Sequence, residues 1–111
     1  MYERKSGAIV QMLSVASIKG YLHGAAYVAS KFAAIGFTNA LREEARKHGV
    51  RVIAVLPGAT ETELWDERER QQYHERMMQP EDIASAVLHA LNQPGRALVE
   101  EILIRPIAGD I

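Results

Sequence analysis

Three short runs of apolar residues divide the chain, and each has the length of a buried strand. They cover residues 7–14, 50–56 and 98–105. Runs of this length, bounded by glycine, proline or polar residues, are typical of strands buried on both faces of a parallel sheet. The sequence therefore predicts three interior strands.

Segments with helical periodicity lie between these runs. Residues 25–47 contain no proline and carry small or apolar side chains at three- and four-residue spacing, which predicts a helix with this stripe turned inward. The stripe consists of Ala26, Ala29, Ser30, Ala33, Phe37 and Leu41. The helix is predicted to end at Gly49, in the left-handed conformation.

Two further helices are predicted before the last strand. Residues 61–78 form a polar segment, and its mixed charges at residues 66–70 indicate a solvated helix face rather than a nucleic-acid contact. The next helix begins at Pro80, with acidic residues in its first turn. Its predicted inward stripe is Ile83, Ala84, Val87, Leu88 and Leu91.

Strands and helices thus alternate as βαβαβ, and connections of this length require parallel strands. We expect right-handed crossovers. The predicted fold class is α/β: a Rossmann-like parallel sheet, half of a doubly wound fold, in a single domain of residues 1–111. Such a sheet has two open edges and a poorly covered face, so we expect a partner to cover it.

Composition narrows the functional classes. Thirteen basic and fourteen acidic side chains give a net charge of −1, which argues against nucleic acid or a membrane as the main partner. A compact monomer of this mass exposes roughly 6,100 Å². No targeting or membrane-spanning segment is visible, and the lack of cysteine suits the cytoplasm. The four histidines are scattered without metal-ligand spacing, so no metal site is expected.

Candidate chemistry gathers at one edge of the predicted sheet. Ser14 ends the first strand, and Pro57 with Gly58 ends the second. Ligands of open parallel sheets bind outside these carboxyl ends. Tyr27 and Lys31 are four residues apart, so they share one helix face about 40° apart in azimuth.

These segments together resemble the carboxyl-terminal half of the short-chain dehydrogenase/reductase family. The resemblance rests on residues 9–14, on the Tyr27-Val28-Ala29-Ser30-Lys31 motif and on residues 52–62, in the family's order and spacing. It implies an oxidoreductase that transfers a hydride between an alcohol and a ketone or aldehyde. The implied cofactor is NAD or NADP, and the implied substrate is a small alcohol or carbonyl compound.

The resemblance also implies roles for individual residues. Tyr27 would be the general acid/base, Lys31 its electrostatic partner and a contact of the nicotinamide ribose, and Ser14 a hydrogen-bond donor to the substrate oxygen. Cofactor binding would fall to Tyr27, Lys31, Pro57, Gly58, Ala59, Thr60 and Thr62. Thr62 could also be the N-cap of the following helix, and the two roles can hold together.

Parts of the family pattern are missing from the 111 residues. There is no glycine-rich phosphate loop, no Asn-Ala-Gly stretch and no tetrad asparagine upstream of Ser14. The alternative is therefore a non-catalytic, self-associating fragment or remnant that lacks the dinucleotide-binding half. His23 could be a plain loop residue or a substrate contact. Trp65 and Tyr73 could belong to a substrate lid or to a subunit interface.

A homo-oligomer is expected on either interpretation. The small residues of the 25–47 helix suit close antiparallel packing against a second copy about a two-fold axis. In the family, the corresponding helix forms such contacts, and the last strand with the residues after it offers a second surface.

Overall fold

The computed structural model describes residues 1–111 and contains one sheet of three parallel strands in the order β1-β2-β3. The strands are β1 (Ala8–Met12), β2 (Arg51–Pro57) and β3 (Glu101–Ile104). The register places Ile9 beside Val52 and Val55 beside Ile102. The predicted parallel α/β sheet is confirmed, although the first and last strands are shorter than predicted.

The central strand β2 is buried on both faces. Val52, Ala54 and Leu56 point to one face, and Ile53 and Val55 point to the other, since alternate residues of a strand face opposite sides. The even-numbered residues pack against α1 (Ala25–Arg46), and the odd-numbered residues pack against α3 (Pro80–Leu91). Each face of β2 is thus covered by one helix, whereas Met12 of β1 and Leu103 of β3 are about half exposed.

This placement fixes the relative hand of the two crossovers. β1, β2 and β3 follow one another in the same direction across the sheet, while their connecting helices lie on opposite faces. The two crossovers therefore have opposite hands, and the prediction that both are right-handed is wrong for one of them. The long polar connection over residues 58–79 leads the chain from β2 to the face of the sheet on which α3 packs.

The inward face of α1 differs from the predicted stripe. Its buried residues are Ile35, Thr38, Arg42 and Ala45, whereas Phe37 is 63% exposed. At 100° per residue, the buried residues are centred about 130° around the helix from the predicted stripe. Small or apolar residues occur on both of these sides, and the sheet contacts the side that carries Ile35 and Ala45. Ala26, Ala29, Ser30 and Ala33 are exposed with Phe37, and Leu41 is half-buried.

The segment predicted as one helix over residues 61–78 is shorter and broken. It contains α2 (Glu67–Tyr73), followed by a 3-10 turn over His74–Arg76. The N-cap of α2 is Asp66, whose carboxylate accepts a hydrogen bond from the Glu69 amide at 2.8 Å. The N-cap alternative for Thr62 is therefore wrong, because the helix begins five residues later.

The helix α3 begins at Pro80 as predicted, with a capping box between Gln79 and Asp82. Ile83 faces the sheet, with Val87 and Leu91 packed against the same apolar cluster. The remaining two residues of the predicted stripe, Ala84 and Leu88, are exposed.

A buried guanidinium ties α1 to the sheet. The Nε of Arg42 donates to the Val52 carbonyl at 2.9 Å, one terminal nitrogen donates to the Glu100 carbonyl at 2.8 Å, and the other donates to the Asn39 side chain at 2.8 Å. Arg42 is only 5% exposed. Its charge-assisted hydrogen bonds connect the helix, β2 and the residue before β3.

The chain exposes much more surface than its mass requires. Its accessible area is 7442 Å², about 1,300 Å² above the roughly 6,100 Å² of a compact monomer. The radius of gyration is 15.6 Å, against about 13 Å for a compact chain of this length. None of the helices combines the length and the apolar character that a membrane span needs.

Candidate functional site

The carboxyl ends of β1 and β2 and the first turn of α1 meet around one cleft of about 580 Å³. Seven of the eight predicted site residues line it. They are Ser14, Tyr27, Pro57, Gly58, Ala59, Thr60 and Thr62. The exception, Lys31, lies one helical turn beyond Tyr27.

Ser14 is held at the end of β1 by backbone contacts on both sides. The Leu13 amide donates to the Val55 carbonyl at 2.8 Å, which extends the sheet by one residue. Ser14 is itself extended and caps a short 3-10 turn over Val15–Ser17, since its Oγ accepts a hydrogen bond from the Ala16 amide at 3.1 Å. A hydroxyl that accepts one bond still has its proton to donate. Ser14 can therefore donate into the cleft.

Tyr27 lies in the first turn of α1 and is 47% exposed. Its hydroxyl makes no hydrogen bond within the chain. The ring lies 6.5 Å from that of Tyr21, tilted by 47°. Tyr21 in turn packs on Gly24, where an added Cβ would lie 2.3 Å from the Tyr21 ring. The glycine N-cap thus makes room for a pair of tyrosines at the cleft.

Lys31 is paired with Tyr27 through the aromatic ring. Its Nζ lies 5.5 Å from the ring centroid, within the range of a cation–π contact. The contact joins two side chains that lie one turn apart on the same helix.

The loop after β2 is anchored on two sides. The Gly58 amide donates to the Ile104 carbonyl at 2.8 Å, and the Met78 amide donates to the Ala59 carbonyl at 3.0 Å. The Thr60 hydroxyl donates to the Gly58 carbonyl at 3.0 Å. The loop thus presents fixed backbone and hydroxyl groups to the cleft.

Several lining residues carry no signal in the sequence. They are Leu13, Val15, Lys19, Tyr21, Leu64, Asp110 and Ile111. Lys19 and Asp110 are 91 positions apart, yet Nζ and Oδ2 lie 2.6 Å from each other. Trp65 lines the cleft, as the lid interpretation requires, whereas Tyr73 and His23 do not. His23 has φ of +62° in the loop before α1.

A second, fully polar depression of about 610 Å³ lies beside the cleft, around α2. The Glu61 carboxylate contacts the His74 ring, accepts from the Gln79 amide at 3.3 Å and lies 3.6 Å from the Arg70 guanidinium. Hydrogen bonding to His74 lowers the pKa of Glu61, with smaller lowering contributions from Gln79 and Arg70 and an opposing effect of burial. These contacts attach the 3-10 turn and α2 to the loop that follows β2.

The arrangement in the first cleft suits polarisation of a bound oxygen. Two hydroxyl groups, from Ser14 and Tyr27, border the same space, and the Lys31 ammonium lies behind the tyrosine. The charged groups of the lining, Lys19 and Asp110, are paired with each other. Donors of this kind stabilise negative charge that develops on an oxygen atom.

Comparisons with known proteins show the family of the chain. The family model described as short chain dehydrogenase matches residues 1–73. Sepiapterin reductase from Chlorobaculum tepidum is 42% identical over 111 residues, which are 100% of this chain and 45% of that protein. An uncharacterized oxidoreductase from Staphylococcus saprophyticus is 33% identical over 112 residues, 96% of this chain and 45% of the relative.

Solved structures show the same fold. A serine dehydrogenase in a closed form complexed with NADP+ superposes with a TM-score of 0.88 at 24% identity, over 100% of this chain and 48% of that one. A variant of actinorhodin polyketide ketoreductase with NADPH gives a TM-score of 0.80 at 28% identity, over 100% and 50%. The chain thus spans about half the length of the proteins it matches.

Proposed function

The chain belongs to the short-chain dehydrogenase family, and we propose that it supplies the catalytic part of an NAD(P)-dependent oxidoreductase acting on an alcohol and the matching ketone or aldehyde. One observation carries the proposal. The Ser14 and Tyr27 side chains line a single cleft, and the Lys31 ammonium lies against the Tyr27 ring.

The proposed roles follow from the positions of these groups. Ser14 donates a hydrogen bond to the substrate oxygen and holds it near Tyr27. The Tyr27 hydroxyl transfers a proton to that oxygen during reduction and takes it back during oxidation. Lys31 stabilises the phenolate that this exchange produces.

The nicotinamide end of the cofactor fits the loop after β2. Pro57, Gly58 and Ala59 give the cleft an ordered backbone wall, and Thr60 and Thr62 add hydroxyl groups. When bound, NAD or NADP supplies or accepts the hydride. The choice between the two is made outside these residues, since it depends on groups near the adenosine ribose.

The 42% identity to a sepiapterin reductase makes sepiapterin, a pterin with a side-chain ketone, the first substrate to test. The cleft volume of about 580 Å³ lies within the usual range of sites for small ligands.

Self-association is part of the proposal, together with a cytoplasmic location that the lack of cysteine suits. The face of α1 that carries Ala26, Ala33 and Phe37 is exposed. The surplus surface of about 1,300 Å² exceeds the roughly 800 Å² that each partner contributes to a stable interface of standard size.

The alternative is a chain that associates without turnover. It is favoured by the missing glycine-rich phosphate loop, because the residues present would hold only the nicotinamide end of a dinucleotide. Fluorescence titration of the chain with NADH and with NADPH distinguishes the catalytic proposal from the non-catalytic alternative. Saturable binding supports the catalytic proposal, whereas no binding by the folded chain supports the alternative for the chain alone.

A chimera tests the chemistry directly. The chain replaces the matching 45% of the Chlorobaculum tepidum relative, and reduction of sepiapterin is followed with NADPH and with NADH. Tyr27→Phe should lower kcat by about 10²- to 10⁴-fold, the usual contribution of a positioned acid/base. Tyr21→Phe is the matched control, because its ring borders the same cleft. Equal activity of the two variants would overturn the role of Tyr27.

A further inference from the structure

The last seven residues lie at the rim of the cleft, and the final two of them line it. Pro106 is buried beside Gly58, where an added Cβ would lie 3.2 Å from the Pro106 Cδ. Gly109, at φ +88°, turns the chain back, and its amide donates to the Pro106 carbonyl at 2.9 Å. Asp110 and Ile111 then line the cleft.

Asp110 fastens this segment at two further points. Its carboxylate forms the 2.6 Å ion pair with Lys19 on the β1–α1 connection, while Arg105 lies 3.8 Å away. Its carbonyl accepts a hydrogen bond from the Arg76 guanidinium at 2.8 Å, just beyond α2. Hydrogen bonding to Lys19 also lowers the pKa of Asp110.

We propose that residues 105–111 form a strap over the substrate cleft, that the Lys19–Asp110 ion pair fastens it, and that the closed strap selects compact carbonyl substrates over extended ones. Lys19 and Asp110 are thus specificity-determining residues that act by closing the space, without taking part in proton transfer. The substrate selection rests on the proposed oxidoreductase function, whereas closure of the strap does not.

The distribution of charge in the cleft explains how the Lys19–Asp110 pair can control the strap. Lys19 and Asp110 are the charged members of the lining, and the other lining residues are apolar or neutral. Both side chains keep contact with water, with 54% and 34% of their surfaces exposed. A pair of this kind forms and breaks at small cost, so the strap can open for substrate entry and close again.

Trp65 provides a readout that needs neither cofactor nor turnover. It is the single tryptophan of the chain, and it lines the cleft. Its fluorescence is titrated with acrylamide, which is small, and with a bulky neutral nitroxide. Lys19→Met and Asp110→Asn should raise quenching by the nitroxide by about 1.4- to 5-fold, the change that loss of one exposed ion pair gives, and should raise quenching by acrylamide less.

The controls separate closure from general loosening. The charge swap, Lys19→Asp with Asp110→Lys, should restore quenching to the parent level, and added salt should reduce the difference between parent and single variants. Lys47→Met removes an exposed ammonium at the far end of α1 and should change nothing. Unchanged nitroxide quenching in both folded single variants, checked by circular dichroism, would overturn the strap.

Selection is measured in the chimera with cyclohexanone and decan-2-one. In both single variants, the ratio of kcat/KM for decan-2-one to kcat/KM for cyclohexanone should rise. The expected rise is by the same factor as the rise in nitroxide quenching. A parent-like ratio in variants with raised quenching would overturn the selectivity claim. If the parent chimera reduces neither ketone nor sepiapterin, the proposed function fails while the quenching result stands.

Discussion

The ammonium nitrogen of Lys31 lies 5.5 Å from the centre of the Tyr27 ring, one turn further along α1. The two residues therefore move with one rigid helix, and their separation does not depend on any loop. Ser14, by contrast, depends on the end of β1 and on its own 3-10 turn. The proposed proton-transfer group and its cation are thus built into a single element.

A substitution that removes the positive charge of Lys31 should reduce turnover more than one that replaces the ammonium with a guanidinium. In the chimera, Lys31→Met is expected to lower kcat/KM by about 10²-fold, within the range of acid/base contributions. Lys31→Arg should lower it less, because the positive charge stays near the ring. Steady-state kinetics of both variants, with Lys47→Met as control, make the measurement. Near-parent activity of Lys31→Met would contradict the assigned role.

Loss of the buried guanidinium should destabilise the chain. Arg42→Met leaves the Val52 carbonyl without its side-chain donor, whereas the Glu100 carbonyl keeps the Ala54 amide at 2.9 Å. The expected cost is about 1–3 kcal/mol in the free energy of unfolding. Arg46→Met, one turn later on the exposed side of α1, should cost less, because its ion pairs with Glu43 and Glu100 are solvent-exposed. Urea unfolding followed by circular dichroism compares them. Equal midpoints would show that the Arg42 hydrogen bonds contribute no net stability.

Acid should release the contacts that attach α2. Because the folded-state pKa of Glu61 is lowered from its ordinary value of 4.5, its contribution to stability is present above that pH. It is lost as the pH falls through the lower folded-state value. The melting temperature of the parent should therefore fall more steeply below pH 4.5 than that of Glu61→Gln. Glu67→Gln, which borders the same depression, should follow the parent.

Two glycine-to-alanine changes should have opposite signs. Gly49 has φ of +67°, and an added Cβ would lie 2.5 Å from the Lys5 carbonyl oxygen. Gly49→Ala should therefore destabilise by at least about 1–2 kcal/mol. Gly36 lies within α1 with open space around it, so Gly36→Ala should stabilise by about 0.5–1 kcal/mol. Thermal unfolding of both variants checks the pair, and a shared sign would contradict the prediction.

A charge on the outer face of α1 should weaken self-association without unfolding the chain. Phe37→Glu is expected to lower the association constant by about tenfold or more, because the interface would bury an unpaired carboxylate. Glu44→Gln, on an exposed part of the same helix, serves as control. Sedimentation equilibrium with circular dichroism makes the measurement. A parent-like association constant would place the interface elsewhere.

Local patterns were enough to predict the sheet and most of the cleft. Ser14, Tyr27 and the loop from Pro57 to Thr62 each lie where a strand ends or a helix begins, and parallel strands bring these points to one edge. The Lys19–Asp110 pair joins segments 91 positions apart, and neither residue carries a local signal. Their meeting is a property of the folded chain alone.

The errors have a common physical origin. The face of α1 was misassigned because the helix is apolar on two sides and periodicity cannot say which one meets the sheet. The 61–78 segment was predicted to be helical from its local sequence. Its two ends are held together instead, because Thr60, just before the segment, forms a parallel β-bridge with Met78 at its end. Tertiary contacts thus override local propensity there.

The central position of β2 has a consequence for how the chain folds. β2 supplies residues to all three apolar clusters and pairs with both other strands. Neither α1 nor α3 can bury its apolar side until β2 is in place, so the two halves of the chain cannot form independently. Amides of α1 and of α3 should therefore exchange with solvent through the same cooperative opening. A destabilising substitution in β2 should therefore weaken the packing of both helices against the sheet.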